Sequence, residues 1–121
     1  MIDREEAYAV IAEFVEALKD NDVPTLTGRF GLPAAVLEEI VEVLSDYFSD
    51  GYPALGIAPL DLAFNGSKGR PNIEIFQMND AEHWGVECIL WKDGAPAEPI
   101  LHVELDTSHE AVVLSYKYIG S

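Results

Sequence analysis

WGVECILWKDGAPAEPILHVEL, residues 84–105, is written in a period of two. Trp84, Val86, Cys88 and Leu90 alternate with Glu87 and Trp91. Further on, Leu101, Val103 and Leu105 alternate with His102, Glu104 and Asp106. Strands with one covered and one open face read this way. We expect strands over 84–92 and 98–106, joined through Asp93-Gly94-Ala95-Pro96, a connection short enough to permit only antiparallel pairing.

The same period continues on both sides. Downstream, beyond Thr107-Ser108-His109, a strand is expected over 111–119, with Val112, Leu114, Tyr116 and Tyr118 turned inward and Ser115 and Lys117 outward. Upstream, Asn79-Asp80-Ala81-Glu82 leads back to a strand over 72–78, and residues 65–71 form a turn or loop. Ile57–Phe64 is read as a fifth strand with an irregular start at Pro59, because proline cannot donate to a ladder. The expectation is an antiparallel meander of four or five strands whose open face is polar, with Trp91 as a large aromatic among carboxylates.

Before residue 55 the period is 3.6. Ala7, Val10, Ile11, Phe14, Val15 and Leu18 make one apolar stripe on a helix from Asp3 to Lys19, with Asp3 as N-cap and Glu6 three residues on. Asp22 caps a short turn over 23–30. Pro33 then opens a helix to about Ser49, with Leu37, Ile40, Val41, Leu44 and Phe48 toward the core, and Asp50-Gly51 and Pro53 end it. Helices first and strands second make this an α+β chain: two main helices packed on one face of the sheet. Its 121 residues suit a single domain, 1–121, large enough to bury a core without disulfide or metal.

The charge is the unusual feature. Twenty-two acidic residues face seven basic ones, a formal net charge of −15. Such a surface keeps a chain apart from its copies; it also speeds encounter with a basic protein. It argues against direct nucleic-acid binding, which needs lysine and arginine on phosphates, though it leaves mimicry of nucleic acid open. Cys88 is the only cysteine, the start Met1-Ile2-Asp3-Arg4-Glu5-Glu6 is acidic, and no long apolar run occurs. These features point to the cytoplasm, with no membrane span.

Few residues point to chemistry. Glu38, Glu42 and Asp46 follow each other at i, i+4 on the second long helix, with Glu39 alongside and no lysine or arginine from Pro33 to Asp50. That ridge is either a solvated face or a docking stripe. His83, His102 and His109 have no metal-ligand spacing, so no metal or cofactor is expected, and His83 and His109 are read as exposed turn residues. His102 and Glu104 share a strand face, where an ordinary salt bridge is the simpler reading than an acid/base dyad. Cys88 reads as a buried structural thiol. Gly66-Ser67-Lys68-Gly69-Arg70 lacks the spacing of a phosphate loop.

Two stretches resemble known architecture. EFVEALKDNDVPTLTGRFGL, residues 13–32, is similar to the opening of NTF2-like (cystatin-like) α+β domains, where a long helix and a second helical turn precede a curved sheet. WGVECILW, the DG turn and ILHVEL look like the second half of small bacterial α+β domains, some of which are immunity proteins that neutralise a toxin domain. The resemblance implies a non-catalytic acidic inhibitor of a basic partner. The candidate contacts are Glu38, Glu39, Glu42 and Asp46, or Glu87, Trp91, His102 and Glu104 on the open sheet face. Two further readings stay open: an NTF2-like small-molecule-binding or enzymatic domain with a pocket between helices and sheet, and a homodimer formed through the sheet.

Overall fold

The computed structural model describes residues 2–65 and 70–121. Helices occupy the first half: α1 (Arg4–Lys19), α2 (Val23–Gly28) and α3 (Ala34–Tyr47). After them come β1 (Leu55–Gly56), a single turn α4 (Leu60–Ala63), and the strands β2 (Ile73–Gln77), β3 (His83–Lys92), β4 (Ala95–Asp106) and β5 (Val113–Gly120). The chain is α+β with a curled antiparallel sheet.

Local chemistry accounts for the helix limits. Asp3 Oδ1 accepts from the amides of Glu5 and Glu6, occupying donors that the first turn leaves free. Glu6 does not complete a capping box; its carboxylate instead accepts from the Val112 amide at 3.2 Å and ties α1 to the start of β5. Asn21 takes a left-handed φ of 50° just past α1, and Asp22 caps α2 through the Thr25 amide. Pro33 stands at the N-cap of α3 rather than in its first turn.

In the sheet, β3 is the shared strand. It pairs with β4 along one side, while β2 and the two-residue β1 divide its other side. β5 pairs with β4. Asp93 and Gly94, both at positive φ (53° and 77°), form the two-residue turn between the paired Lys92 and Ala95, a turn whose twist matches that of the strands. β4 therefore begins at Ala95, three residues earlier than the alternation suggests. Its ladder with β3 shifts between Ile89 and Trp91, where the buried Pro99 falls in the irregular stretch.

Three expectations fail here. Residues 57–64 are not a strand: only Leu55–Gly56 pairs with β3, and Pro59 serves as the N-cap of α4. Val41 is 40% exposed rather than turned to the core. Tyr118 is 54% exposed, because the β4–β5 register shifts between His102 and Val103. His102 lies opposite Tyr118 but Val103 lies opposite Tyr116, so Lys117 is an extra residue and the parity of β5 changes beyond it. Ile119, opposite Leu101, takes the inward place instead.

Buried side chains of α1, α3 and one sheet face belong to a single core cluster, Ile11, Phe14, Ile40, Leu44, Val86, Leu101 and Leu105 among them. Phe14 is its hinge point, edge-on to Phe30 at 5.0 Å and stacked on Tyr116 at 6.0 Å. Tyr8 adds a polar tie, its hydroxyl donating to the Ala58 carbonyl at 2.7 Å.

Candidate functional site

Strand register brings three of the four sheet-face candidates together. Glu87 lies opposite His102, and Glu104 lies two residues along the same strand as His102, opposite Gly85 and Ser115. Contacts then sort them. The His102 ring stacks on Tyr118, with centroids 4.0 Å apart and an interplanar angle of 11°. Glu104 pairs with Lys117 at 2.5 Å and Glu87 with Arg70 at 3.3 Å. The expected His102–Glu104 salt bridge is therefore replaced: Lys117, outward like Ser115, pairs with Glu104, and the bulge delivers an aromatic partner to His102.

Trp91 does not stand free among these carboxylates. It is half-buried, and its indole N–H donates to Asn72 Oδ1 at 3.2 Å. Asn72 also donates to the carbonyls of Leu62 and Asn65, so this pair fastens α4 and its exit to the sheet. The exposed apolar groups of the open face are others: Phe76, Met78, Val113 and Tyr118. Phe76 lies across Gly85, where a Cβ would meet its ring; the aromatic covers backbone that glycine leaves bare. Between Phe76 and the His102–Tyr118 stack lies an open hollow of ≈ 390 Å³, with Met78, Gly85, Glu104 and Lys117 also in its walls. Phe76 and Met78 escape sequence reasoning because Glu74-Ile75-Phe76-Gln77-Met78 offers apolar residues in both phases.

The α3 ridge has a different character. Glu38, Glu39, Glu42 and Asp46 are all exposed, and no described lysine, arginine or histidine lies within ion-pair distance of them. Elsewhere cations are spent on carboxylates, as in Lys19 with Glu16, Arg29 with Glu13 and Lys92 with Asp50. Val41, three residues after Glu38 and next to Glu42, adds an exposed apolar group to the ridge. Glu39 sits apart on the flank toward β5, where it lines a hollow of ≈ 310 Å³ with Leu32, Val36 and Tyr116. Burial, and secondarily the Glu39 carboxylate, push the Tyr116 phenol up to about 12.

His109 is the exposed turn residue expected, and His83, at the start of β3, is partly exposed but held by carboxylates. Asp80 binds the His83 ring at 2.8 Å, and Asp106 Oδ2 faces His83 Nε2 at 3.4 Å and His109 Nε2 at 3.5 Å. Asp80 raises the His83 pKa above its ordinary 6.5, while its own carboxyl is lowered by the same bond. Asp106 is lowered by the Ser108 hydroxyl and amide. The group links the β2–β3 turn to the end of β4. Among the described residues no three His, Cys, Asp or Glu side chains are grouped to hold a metal ion. The loop 66–69 lies outside the described residues. No described helix is long and apolar enough to cross a membrane.

A further pocket joins the helical half to the sheet. It measures ≈ 490 Å³ and lies between Ile2 and Arg4 at the start of α1, Phe64 after α4, and Ile73, Ile75 and Trp84 of the sheet. The Arg4 guanidinium sits over the Phe64 ring at 5.1 Å, and the Trp84 indole N–H is buried with no hydrogen-bond partner among the described residues.

Comparison with protein-family models, curated proteins and solved structures finds no match for this chain.

Proposed function

We propose that the chain is a non-catalytic, cytoplasmic acidic binding protein that neutralises a basic protein partner, as an immunity or inhibitor protein does to a toxin domain. The α3 ridge carries this reading. Its carboxylates have no described cation to give up and run beside an exposed Val41, whereas Glu87 and Glu104 on the sheet are already paired. Binding through the ridge therefore requires no internal ion pair to be broken, and an apolar contact among unpaired charges suits a basic surface with an apolar seat. The finer fold reading belongs with it: α1 and α3 packed on the inner face of an NTF2/cystatin-like sheet, a reading supported by the single core cluster they share.

The test uses the partner recovered stoichiometrically by affinity capture. Replacing Glu38 and Glu42 with glutamine and Asp46 with asparagine is expected to slow association by about tenfold or more at low salt. Stability should hold or rise by a few tenths of a kcal/mol per relieved like-charge pair. In 1 M salt, where the Debye length is about 3 Å, the native chain should associate as slowly as the variant. A variant that associates at the native rate, or the lack of any stoichiometric partner, sinks the proposal.

A second reading rests on the Trp84 pocket. A buried N–H without a partner is uncommon and costs about 1–3 kcal/mol; a small apolar molecule with one acceptor oxygen would supply the missing bond. With Trp91 replaced by phenylalanine, Trp84 is the sole tryptophan reporter. Its emission should shift on titration with short aliphatic ketones. A flat response to millimolar concentrations retires this reading.

A further inference from the structure

Most of this surface repels a second copy of the same chain. Acidic residues outnumber basic ones twenty-two to seven, and the α3 ridge has no described cation. The open sheet face differs. Glu87 has Arg70, Glu104 has Lys117, and Asp106 faces His83 and His109; on that face Glu74 and Glu98 have no described cation. Two of the seven basic residues are placed there, beside four of the chain's exposed apolar side chains: Phe76, Met78, Val113 and Tyr118.

The geometry points to a second copy of this chain as the occupant of the open sheet face, packed across a two-fold axis. Charge decides between occupants. A basic partner would meet carboxylates already neutralised and would have to displace Arg70 and Lys117. A second copy meets a face whose own ion pairs have removed part of the repulsion, while the α3 carboxylates stay in solvent. The apolar groups fit a self-complementary contact: in a two-fold arrangement the exposed faces of Phe76 and Tyr118, which wall the hollow, can pack against the same groups of the other copy.

The contact is expected to be weak. Four strands at about 4.8 Å spacing and some seven residues at about 3.3 Å give a projected face of roughly 450 Å² per copy, below the roughly 800 Å² per partner of stable interfaces and in the range of weak, transient ones. A dissociation constant on the order of 10–100 µM is consistent with such an area. Salt gives a signature opposite to that of basic-partner binding. Added salt screens the residual repulsion between two chains of charge −15, so self-association should tighten as ionic strength rises.

Sedimentation velocity over a concentration series at about 0.05 M and 0.5 M sodium chloride measures this directly. The expected result is a monomer–dimer equilibrium, tighter at the higher salt. Lys117→Glu, which strips Glu104 of its partner and adds a charge, should weaken it by about tenfold or more. Tyr118→Ser, at a position too exposed to threaten folding, should also weaken it clearly, and circular dichroism verifies the fold of both. Glu38→Gln with Glu42→Gln should leave the dimer intact or slightly tighter. The inference is overturned by a chain that stays monomeric to about 1 mM at high salt, by a dimer that loosens with salt, or by one indifferent to both sheet-face variants.

Discussion

Phe14→Ala is expected to remove about 3–5 kcal/mol of folding stability, read from urea or thermal unfolding. Phe14 is fully buried and is the one side chain of α1 whose ring meets both Phe30, after α2, and Tyr116 on β5. The substitution forfeits the transfer energy of the ring and leaves a cavity that three separate segments would have to move to close. The two aromatic contacts contribute about 0.5–1.5 kcal/mol each beyond area. Against a total of roughly 5–15 kcal/mol for a domain, the variant should be only marginally folded at ambient temperature. Val41→Ala provides the contrast. Being 40% exposed, it should stay within about 0.5 kcal/mol of the native chain. A loss below about 1 kcal/mol at Phe14 would mean that α1 does not lock onto β5 through this ring.

What made Phe14 legible was local periodicity. Its neighbours at i−4, i−3 and i+4, Val10, Ile11 and Leu18, are all buried, and a helix places such positions on one face whatever the rest of the chain does. The caps at Asp3 and Asp22 were legible for the same reason, since a cap is formed within a few residues of itself. Val86, Cys88, Leu101, Val103 and Leu105 followed from a period of two. Tyr118 did not, because a bulge is a property of two strands: nothing in Leu114–Ile119 alone marks Lys117 as the extra residue. Ile57–Phe64 failed differently. It is a short apolar run with no clear period, and Pro59 is as good an N-cap for the turn Leu60–Ala63 as a lead-in to an edge strand.

The candidate residues divide along the same line. That Glu87, His102 and Glu104 converge was readable from alternation, and that the α3 carboxylates share an exposed face was readable from i, i+4 spacing. Which of them are spoken for was not. Arg70 reaches Glu87 from seventeen positions away in the chain, and Asn72 reaches Trp91 from nineteen. Lys117 was readable as an outward residue, but its pairing with Glu104 was not. These pairings, invisible to spacing, partly neutralise the acidic sheet face and leave the α3 carboxylates without a described cation.

Cys88 offers the sharpest test of how closed the centre is. It lies on β3 between Ile73 of β2 and Leu101 of β4, all three at most 1% exposed, and burial pushes its thiol pKa up to about 12. The thiolate, not the thiol, attacks a disulfide reagent and displaces its leaving thiolate, so at pH 8 the native chain is protected twice, by the missing charge and by the lack of a path. Labelling must then proceed through opened states, at the unfolded thiol's rate multiplied by their population. For a domain of ordinary stability that is at least about a thousandfold slower than in urea. Phe14→Ala provides the internal check. If the reactive opening is global unfolding, its loss of about 3–5 kcal/mol should speed labelling by roughly two to four decades. Native labelling within about tenfold of the unfolded rate would mean that the sheet centre is open. Should Phe14→Ala destabilise the chain without speeding the reaction, Cys88 is reached instead by a local parting of the short strand β2 from β3, and the core is less cooperative than its single cluster implies.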